Sequence, residues 1–246
     1  MTAKMVAPED IARRAIAGLK SKADPVKAAG VQKYFKETVK SYGLISPDVR
    51  GMAAELYALV KKEWTSAEAS ALCEILYREP HLEAKSIGTL ILARFRKDLP
   101  KTTFDRIKGW LAADLLDNWA SVDTLCPDVM GTLLVRYPDL VEKIKPWTGH
   151  PNRWVKRASA VSFLKLARNE EYHDAIYGIS KALFPVGDDL IQKASGWLLR
   201  EVGKRNMSRL ERFLLKHGPE VPRTTLRYAI ERFDERKRKV LLAATR

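Results

Sequence analysis

Apolar residues recur at the spacing of amphipathic helices along nearly the whole chain, and short segments containing proline interrupt them. Four segments place apolar side chains three, four and seven residues apart: 52–62, 86–96, 155–167 and 190–202. The helical conformation is disfavoured for a residue that precedes a proline. Eight prolines therefore predict that a helix ends or begins nearby: Pro25, Pro47, Pro80, Pro100, Pro138, Pro151, Pro185 and Pro219. The sequence therefore predicts an all-α protein of roughly twelve helices joined by short connections.

A weak internal repeat indicates how these helices are arranged. The segment Val155-Lys-Arg-Ala-Ser-Ala matches Ile191-Gln-Lys-Ala-Ser-Gly after a shift of 36 residues. Periods of ~35–47 residues built from helix pairs are typical of HEAT and armadillo solenoids, in which stacked pairs form a curved slab with a concave face. We therefore predict a HEAT-like helical repeat solenoid, a single domain over residues 1–246. Chance similarity between two Ala-rich helices is the alternative.

Charge and composition restrict the classes of function. The chain has 44 Lys and Arg against 30 Asp and Glu, a formal charge of +14, which favours a polyanionic partner. It has no apolar run long enough for a membrane span, and its two cysteines have neither disulfide-framework nor metal-site spacing. Nucleotide-binding, metalloprotease and serine-hydrolase motifs are absent. We expect a cytoplasmic protein, associated with the nucleoid, that needs no cofactor or metal.

The predicted helix at 188–204 combines an aromatic side chain with cations. At about 100° per residue, four of its side chains fall within a stripe about 60° wide: Lys193, Trp197, Arg200 and Lys204. The opposite face is apolar: Ile191, Ala194, Leu198 and Val202. Either Trp197 is a surface aromatic suited to nucleic acid, or the helix packs on both sides and Trp197 is interior.

The predicted helix at 152–168 carries cations and no acidic residue: Arg153, Lys156, Arg157, Lys165 and Arg168. Arg157 is the repeat equivalent of Lys193, so stacked helices would present cations at the same level to regularly spaced phosphates. Together with the concave face of the solenoid, these cations predict a basic concave surface. A solvated helix face is the alternative, and the basic run 236–239 is expected to be such a face or a non-specific phosphate contact.

One acidic residue stands out in the segment Asn118-Trp119-Ala-Ser-Val-Asp123. We expect this segment to lie between two helices, where side chains can project into a groove. On the residues alone, Asp123 is predicted to be a helix N-cap or turn residue. Large aromatic residues are usually buried, so Trp119 alone predicts a core position.

Several short segments together resemble the DNA alkylation repair enzyme family, the AlkD-type DNA glycosylases built from HEAT-like repeats. In chain order they are Gln32-Lys-Tyr34-Phe-Lys, Ser46-Pro47-Asp-Val-Arg50, Asn118-Trp119-x-x-Val122-Asp123, Trp154-Val-Lys-Arg157 and Gly196-Trp197-Leu-Leu-Arg200-Glu201. The resemblance covers roughly residues 26–235. The chain departs from it at Ala120, where many members carry a polar residue, and at Ile45 in the loop 36–46. These departures bear on substrate preference more than on the chemistry.

The resemblance implies excision of N3- and N7-alkylated purines from duplex DNA by cleavage of the N-glycosidic bond, without flipping the lesion into a deep pocket. It implies that Asp123 is the catalytic carboxylate, that Trp119 and Trp197 belong to the active site, that Arg157 contacts DNA and that Tyr34 is a helix-borne site residue. With the cations above, the predicted DNA-binding residues are Tyr34, Arg153, Lys156, Arg157, Lys193, Arg200 and Lys204.

We therefore expect a monomeric DNA-3-methyladenine/7-methylguanine-type glycosylase acting on double-stranded DNA that contains alkylated purines. The alternatives are a non-catalytic HEAT-repeat protein that binds unusual DNA structures and a protein-interaction scaffold.

Overall fold

The regular structure of the protein is helical throughout the described part. The computed structural model describes residues 6–245, in which the only β-type pairing is an isolated bridge between Lys40 and His81. The chain divides into two compact units, Met1–Leu125 and Cys126–Arg246. A single domain over 1–246 remains a prediction. Among the described helices, none has the length and apolarity needed to cross a bilayer.

The N-terminal unit, Met1–Leu125, contains seven α-helices among its described residues. They are α1 (Pro8–Ser21), α2 (Pro25–Val31), α3 (Ser46–Val60), α4 (Ser66–Leu76), α5 (Leu82–Leu92), α6 (Thr103–Ala112) and α7 (Trp119–Leu125). As predicted, Pro25 and Pro47 mark helix boundaries, because each lies in the first turn of a helix. Short 3-10 turns follow α2 at Gln32–Tyr34 and α5 at Ala93–Asp98.

The C-terminal unit, Cys126–Arg246, begins with a π-helical turn, Cys126–Met130. Its described α-helices are α8 (Gly131–Arg136), α9 (Leu140–Ile144), α10 (Arg153–Val161), α11 (His173–Ala182), α12 (Asp189–Gly203), α13 (Met207–His217), α14 (Arg223–Ala229) and α15 (Glu235–Ala244). Helices α10, α11 and α12 pack against one another. Their buried side chains include Val155, Ile176 and Ile191.

The helix predicted over 152–168 is shorter in the structure. Helix α10 ends at Val161, and a 3-10 turn covers Leu166–Arg168. At the end of α10, both the backbone amide and the hydroxyl of Ser162 donate hydrogen bonds to the carbonyl of Ala158, at 3.1 and 2.7 Å. Serine offers the backbone such local alternatives to continued helix, which agrees with the end of the helix at this point.

The two segments of the internal repeat have similar local structure in the C-terminal unit. The side chains of Asn152 and Asp188, which are also 36 residues apart, cap the N-termini of α10 and α12. Equivalent positions on the two helices are buried alike: Val155 and Ile191, Ala158 and Ala194, Ser159 and Ser195. The sequence match therefore corresponds to two packed helices that start and bury their side chains in the same way.

Helix α12 also packs closely against α14, and a glycine permits the approach. A Cβ atom built on Gly196 would lie 2.5 Å from the Cβ of Tyr228 and 2.6 Å from the carbonyl oxygen of Thr225. The Thr225 hydroxyl donates a hydrogen bond to the Gln192 carbonyl at 3.0 Å. Any side chain at position 196 would therefore push α14 away from α12.

We predict that Gly196→Ala destabilises the protein by about 1–3 kcal/mol, the usual cost of forcing extra atoms into a packed contact. The matched control is Gly178→Ala in α11, where a Cβ would meet nothing within 4 Å. This control should stabilise by about 0.5–1 kcal/mol, since alanine favours the helix interior over glycine. Thermal unfolding followed by circular dichroism measures both. Equal stability of Gly196→Ala and the wild type would contradict the close approach.

Candidate functional site

Helix α7 places Trp119 and Asp123 on the same face. Trp119 is the first helical residue and Asp123 lies four residues later, so their side chains are neighbours along the helix. The prediction that Asp123 is an N-cap or turn residue was wrong, because Asn118 takes the capping position. The Asn118 Oδ1 atom accepts a hydrogen bond from the Ser121 amide at 2.9 Å, which leaves Asp123 inside the helix.

Both side chains of this pair reach the surface of the N-terminal unit. Trp119 and Asp123 are each partly exposed, so Trp119 does not occupy the core position that its residue type predicted. The Trp119 ring stacks on Phe35, with 5.1 Å between centroids and 21° between planes. Phe35 was missed by the sequence analysis as a site residue, although it lies in the segment that carries Tyr34.

The Trp119 indole forms part of a cleft within the N-terminal unit. The cleft has a volume of about 300 Å³ and is bounded by α2, α3, α5, α7 and the loop at 41–45. Its lining combines apolar side chains with a few polar ones, including Tyr34, Phe35, Leu44, Arg50, Ser86 and Trp119.

Tyr34 lies at the edge of this cleft and differs from the prediction in its local structure. It ends the 3-10 turn Gln32–Tyr34 that follows α2, so it is not carried by an α-helix. Its side chain is 77% exposed and also contributes to the lining of the cleft. Tyr34 is thus accessible to a large ligand on the same side of the unit as Trp119.

The buried carboxylate of Glu83 holds one wall of the cleft. It accepts hydrogen bonds from the amides of Tyr42, Gly43 and Leu44 and, at 2.6 Å, from the Ser41 hydroxyl. Gly43 has a φ of +84°, and a Cβ there would lie 2.2 Å from the carbonyl oxygen of Asp24. The loop at 41–45 is therefore fixed by one acidic side chain and one glycine.

A second network, also missed by the sequence analysis, joins α5 to the start of α7. The Lys85 ammonium lies 2.7 Å from Asp117 Oδ1, and Asn118 Nδ2 donates to the same oxygen at 3.2 Å. The preference of Asn for helix N-caps could have identified Asn118. No sequence signal could have identified Lys85, which is 32 residues before Asp117.

In the C-terminal unit, α12 has the two faces that the helical wheel predicted. The four residues of the apolar stripe are buried: Ile191, Ala194, Leu198 and Val202. Trp197 is partly exposed, which favours a surface aromatic over an interior one.

Most of the predicted DNA-binding cations in the C-terminal unit are paired with carboxylates. Lys193 lies 2.9 Å from Asp189, and its hydrogen bond to Asp189 raises the pKa of the Lys193 ammonium. Lys204 lies 2.6 Å from Glu201. Ion pairs near the surface contribute only about 0–1 kcal/mol to stability, so these carboxylates hold the two ammonium groups weakly.

Two arginines of the predicted set are tied more closely to the protein. Arg153 pairs with Asp188, the N-cap residue of α12, at 2.5 Å. Arg200 pairs with Glu231 and is only 18% exposed at its side chain. Both side chains therefore contribute to the local structure of the unit as well as to its charge.

Arg157 lies inside the unit rather than on its surface. The residue is 5% exposed, and its Nη1 atom donates to the Leu190 carbonyl at 2.5 Å. Arg157 and Lys193 thus occupy equivalent repeat positions but differ in exposure, and in this arrangement Arg157 joins α10 to the first turn of α12. The neighbouring Lys156 is partly exposed and makes no ion pair within the described chain.

The positive charge is concentrated in the C-terminal unit. That unit holds 24 Lys and Arg against 14 Asp and Glu, a formal charge of +10 out of the chain's +14. The run 236–239 belongs to α15, where Lys237 pairs with Glu211 at 2.7 Å and Lys239 with Glu235 at 2.8 Å. Within residues 6–245, no group of three or more His, Cys, Asp or Glu side chains is placed to hold a metal ion.

Comparison with known proteins agrees with this arrangement. The chain resembles a solved structure described as a predicted DNA alkylation repair enzyme from Enterococcus faecalis, with a TM-score of 0.73 and 18% identity over 87% of this chain and 98% of that one. This likeness shows an all-α helical repeat fold. No curated protein matches the chain significantly. The model of the family described as DNA alkylation repair enzyme matches residues 15–233, and the chain belongs to that family.

Proposed function

We propose that the protein is a DNA glycosylase that excises cationic N3- and N7-alkylated purines from duplex DNA. The observation that carries this proposal is the pairing of Trp119 and Asp123 one helical turn apart, both partly exposed, on the capped helix α7. Membership of the DNA alkylation repair enzyme family supports a role in repair of alkylated DNA.

The chemistry of the lesion fits a site with one carboxylate. A purine alkylated at N3 or N7 is cationic and is already a good leaving group, so no general acid is required. Loss of the base leaves an oxocarbenium-like deoxyribose that water must attack. Other glycoside-cleaving enzymes stabilise such a sugar with a carboxylate near the anomeric carbon. Asp123 would have this role and would orient the water.

The indole rings favour a cationic base over a neutral one. The face of a tryptophan ring is negative, and a cation over it gains about 0.5–2 kcal/mol. Trp119 and Trp197 are both partly exposed and can make such contacts. This gain selects alkylated bases but is too small to supply the whole rate enhancement, which leaves the largest part to electrostatic stabilisation by Asp123.

The charge of the C-terminal unit supplies affinity for the phosphate backbone. A cation that neutralises a phosphate releases condensed counterions, so affinity falls steeply with salt. We propose Lys156, Lys193 and Lys204 as the phosphate contacts, because they are partly or fully exposed. Arg153 and Arg200 add to the positive electrostatic potential of the C-terminal unit. Arg157 supports α12 through its hydrogen bond to the Leu190 carbonyl.

We predict that Asp123→Asn slows release of 7-methylguanine from methylated duplex DNA by roughly 10²–10³-fold, the usual effect of removing one charge-stabilising group. Affinity for the duplex should be retained, because one neutralised carboxylate does not weaken attraction to phosphates. Chromatography of the released base under single-turnover conditions measures the rate, and fluorescence anisotropy measures the affinity.

The matched control for this prediction is Asp105→Asn, which removes the same charge from an exposed position in the first turn of α6. It should release base at the wild-type rate. Equal rates for Asp123→Asn and the wild type would rule out Asp123. If the wild type binds duplex DNA but releases no base, the protein is a non-catalytic DNA-binding member of the family.

We also predict that Lys156→Gln lowers affinity for all duplexes and reduces the slope of log K against log salt by about 1, the value for one lost phosphate contact. The control is Lys181→Gln, an exposed lysine at the end of α11. An identical slope for Lys156→Gln and the wild type would remove Lys156 from the interface. Equal losses in both variants would indicate a general charge effect. Binding that does not respond to salt would favour a protein-interaction scaffold.

A further inference from the structure

We propose that Lys85, Asp117 and Asn118 form a positioning network that fixes the first turn of α7 and thereby the orientation of Trp119 and Asp123. This inference rests on the proposed function, since it assigns these residues a purpose in base release. None of the three is proposed to touch DNA.

The network fixes the orientation of the Asn118 side chain. Asp117 Oδ1 accepts hydrogen bonds from Lys85 Nζ at 2.7 Å and from Asn118 Nδ2 at 3.2 Å. An asparagine amide has one oxygen acceptor and one nitrogen donor. Because the donor is held by Asp117, the acceptor faces the helix, where it caps the Ser121 amide at 2.9 Å.

The network is anchored in the packed part of α5. Lys85 is only 4% exposed, whereas the Asp117 side chain is 54% exposed. A buried ammonium is costly without a partner, so Lys85 strongly favours the arrangement in which Asp117 is within reach. The Thr89 hydroxyl donates a hydrogen bond to the Lys85 carbonyl at 3.1 Å. The same hydroxyl is hydrogen-bonded to the Tyr77 hydroxyl at 2.8 Å.

The first turn of α7 needs this support because the first four amides of a helix have no acceptor within the helix. In α7 the Asn118 side chain supplies one such acceptor, to the Ser121 amide. Removal of an Asn cap destabilises the first turn of a helix. Trp119 is the first helical residue and Asp123 lies one turn later, so loosening of this turn moves both. A misplacement of about 1 Å at a reacting group can cost about 10²-fold in rate.

A purely structural role would give a different result. Asn118 is 1% exposed and Lys85 is 4% exposed, so neither can contact a duplex directly. If the network only stabilised the fold, its loss would lower the melting temperature without changing the rate of base release at temperatures where the variant is folded. A positioning role predicts a slower rate with unchanged DNA affinity.

The test uses Asp117, because its side chain is far more exposed than those of Lys85 and Asn118. In Asp117→Ala, single-turnover release of 7-methylguanine should fall by about tenfold or more, with the dissociation constant for methylated duplex unchanged. Asp117→Asn keeps the Oδ1 acceptor and should recover much of the rate. The control Asp105→Ala removes an exposed carboxylate of the same unit and should match the wild type.

A second readout does not depend on activity. Hydrogen exchange at the Ser121 amide, measured by NMR without DNA, should be faster in Asp117→Ala than in Asp105→Ala and the wild type. The inference would be overturned if Asp117→Ala released 7-methylguanine at the wild-type rate and its Ser121 amide exchanged at the wild-type rate. That result would leave the proposed function intact. If the wild type itself releases no base, the proposed function fails. The exchange rate then decides alone, faster exchange supporting the positioning network and unchanged exchange overturning it.

Discussion

The hydrogen bond from the Ser121 amide to the Asn118 side chain is the contact on which the candidate site depends most directly. The capping residue directly precedes Trp119, so α7 begins at Trp119, and this start determines that Trp119 and Asp123 share a face. A helix beginning two residues later would break this register. The cap is supported in turn by Asp117 and by Lys85 of α5, so a buried charge far away in sequence contributes to the position of the proposed catalytic carboxylate.

The cations of the C-terminal unit show how a basic surface is kept compatible with a folded protein. A formal charge of +10 in one unit is self-repulsive. Carboxylates beside Lys193 and Lys204 reduce this repulsion while the protein is free. Because ion pairs near the surface are weak, the same lysines remain available for the proposed phosphate contacts. The ion pairs therefore reduce charge repulsion in the free protein. They leave the lysines usable in the proposed DNA binding.

Equivalent charged positions in the internal repeat differ in burial. Arg157 and Lys193 occupy matching places on α10 and α12, yet Arg157 is buried and donates to the Leu190 carbonyl. Lys193 remains near the surface beside Asp189. The repeat thus preserves caps and buried small residues, whereas the charged position joins two helices in one copy and forms an ion pair near the surface in the other.

The sequence by itself determined the all-α class, the boundaries marked by proline, the repeat of α10 and α12 and the two faces of α12, because helical period and capping preference are local properties. It also predicted Trp119, Asp123 and Trp197 through short motifs. Only the tertiary structure decided that Asp123 lies within α7, that Arg157 is buried, and that Phe35, Glu83 and Lys85 support the site. Those outcomes depend on contacts between residues far apart in the chain, and such contacts leave no period or motif in a single sequence.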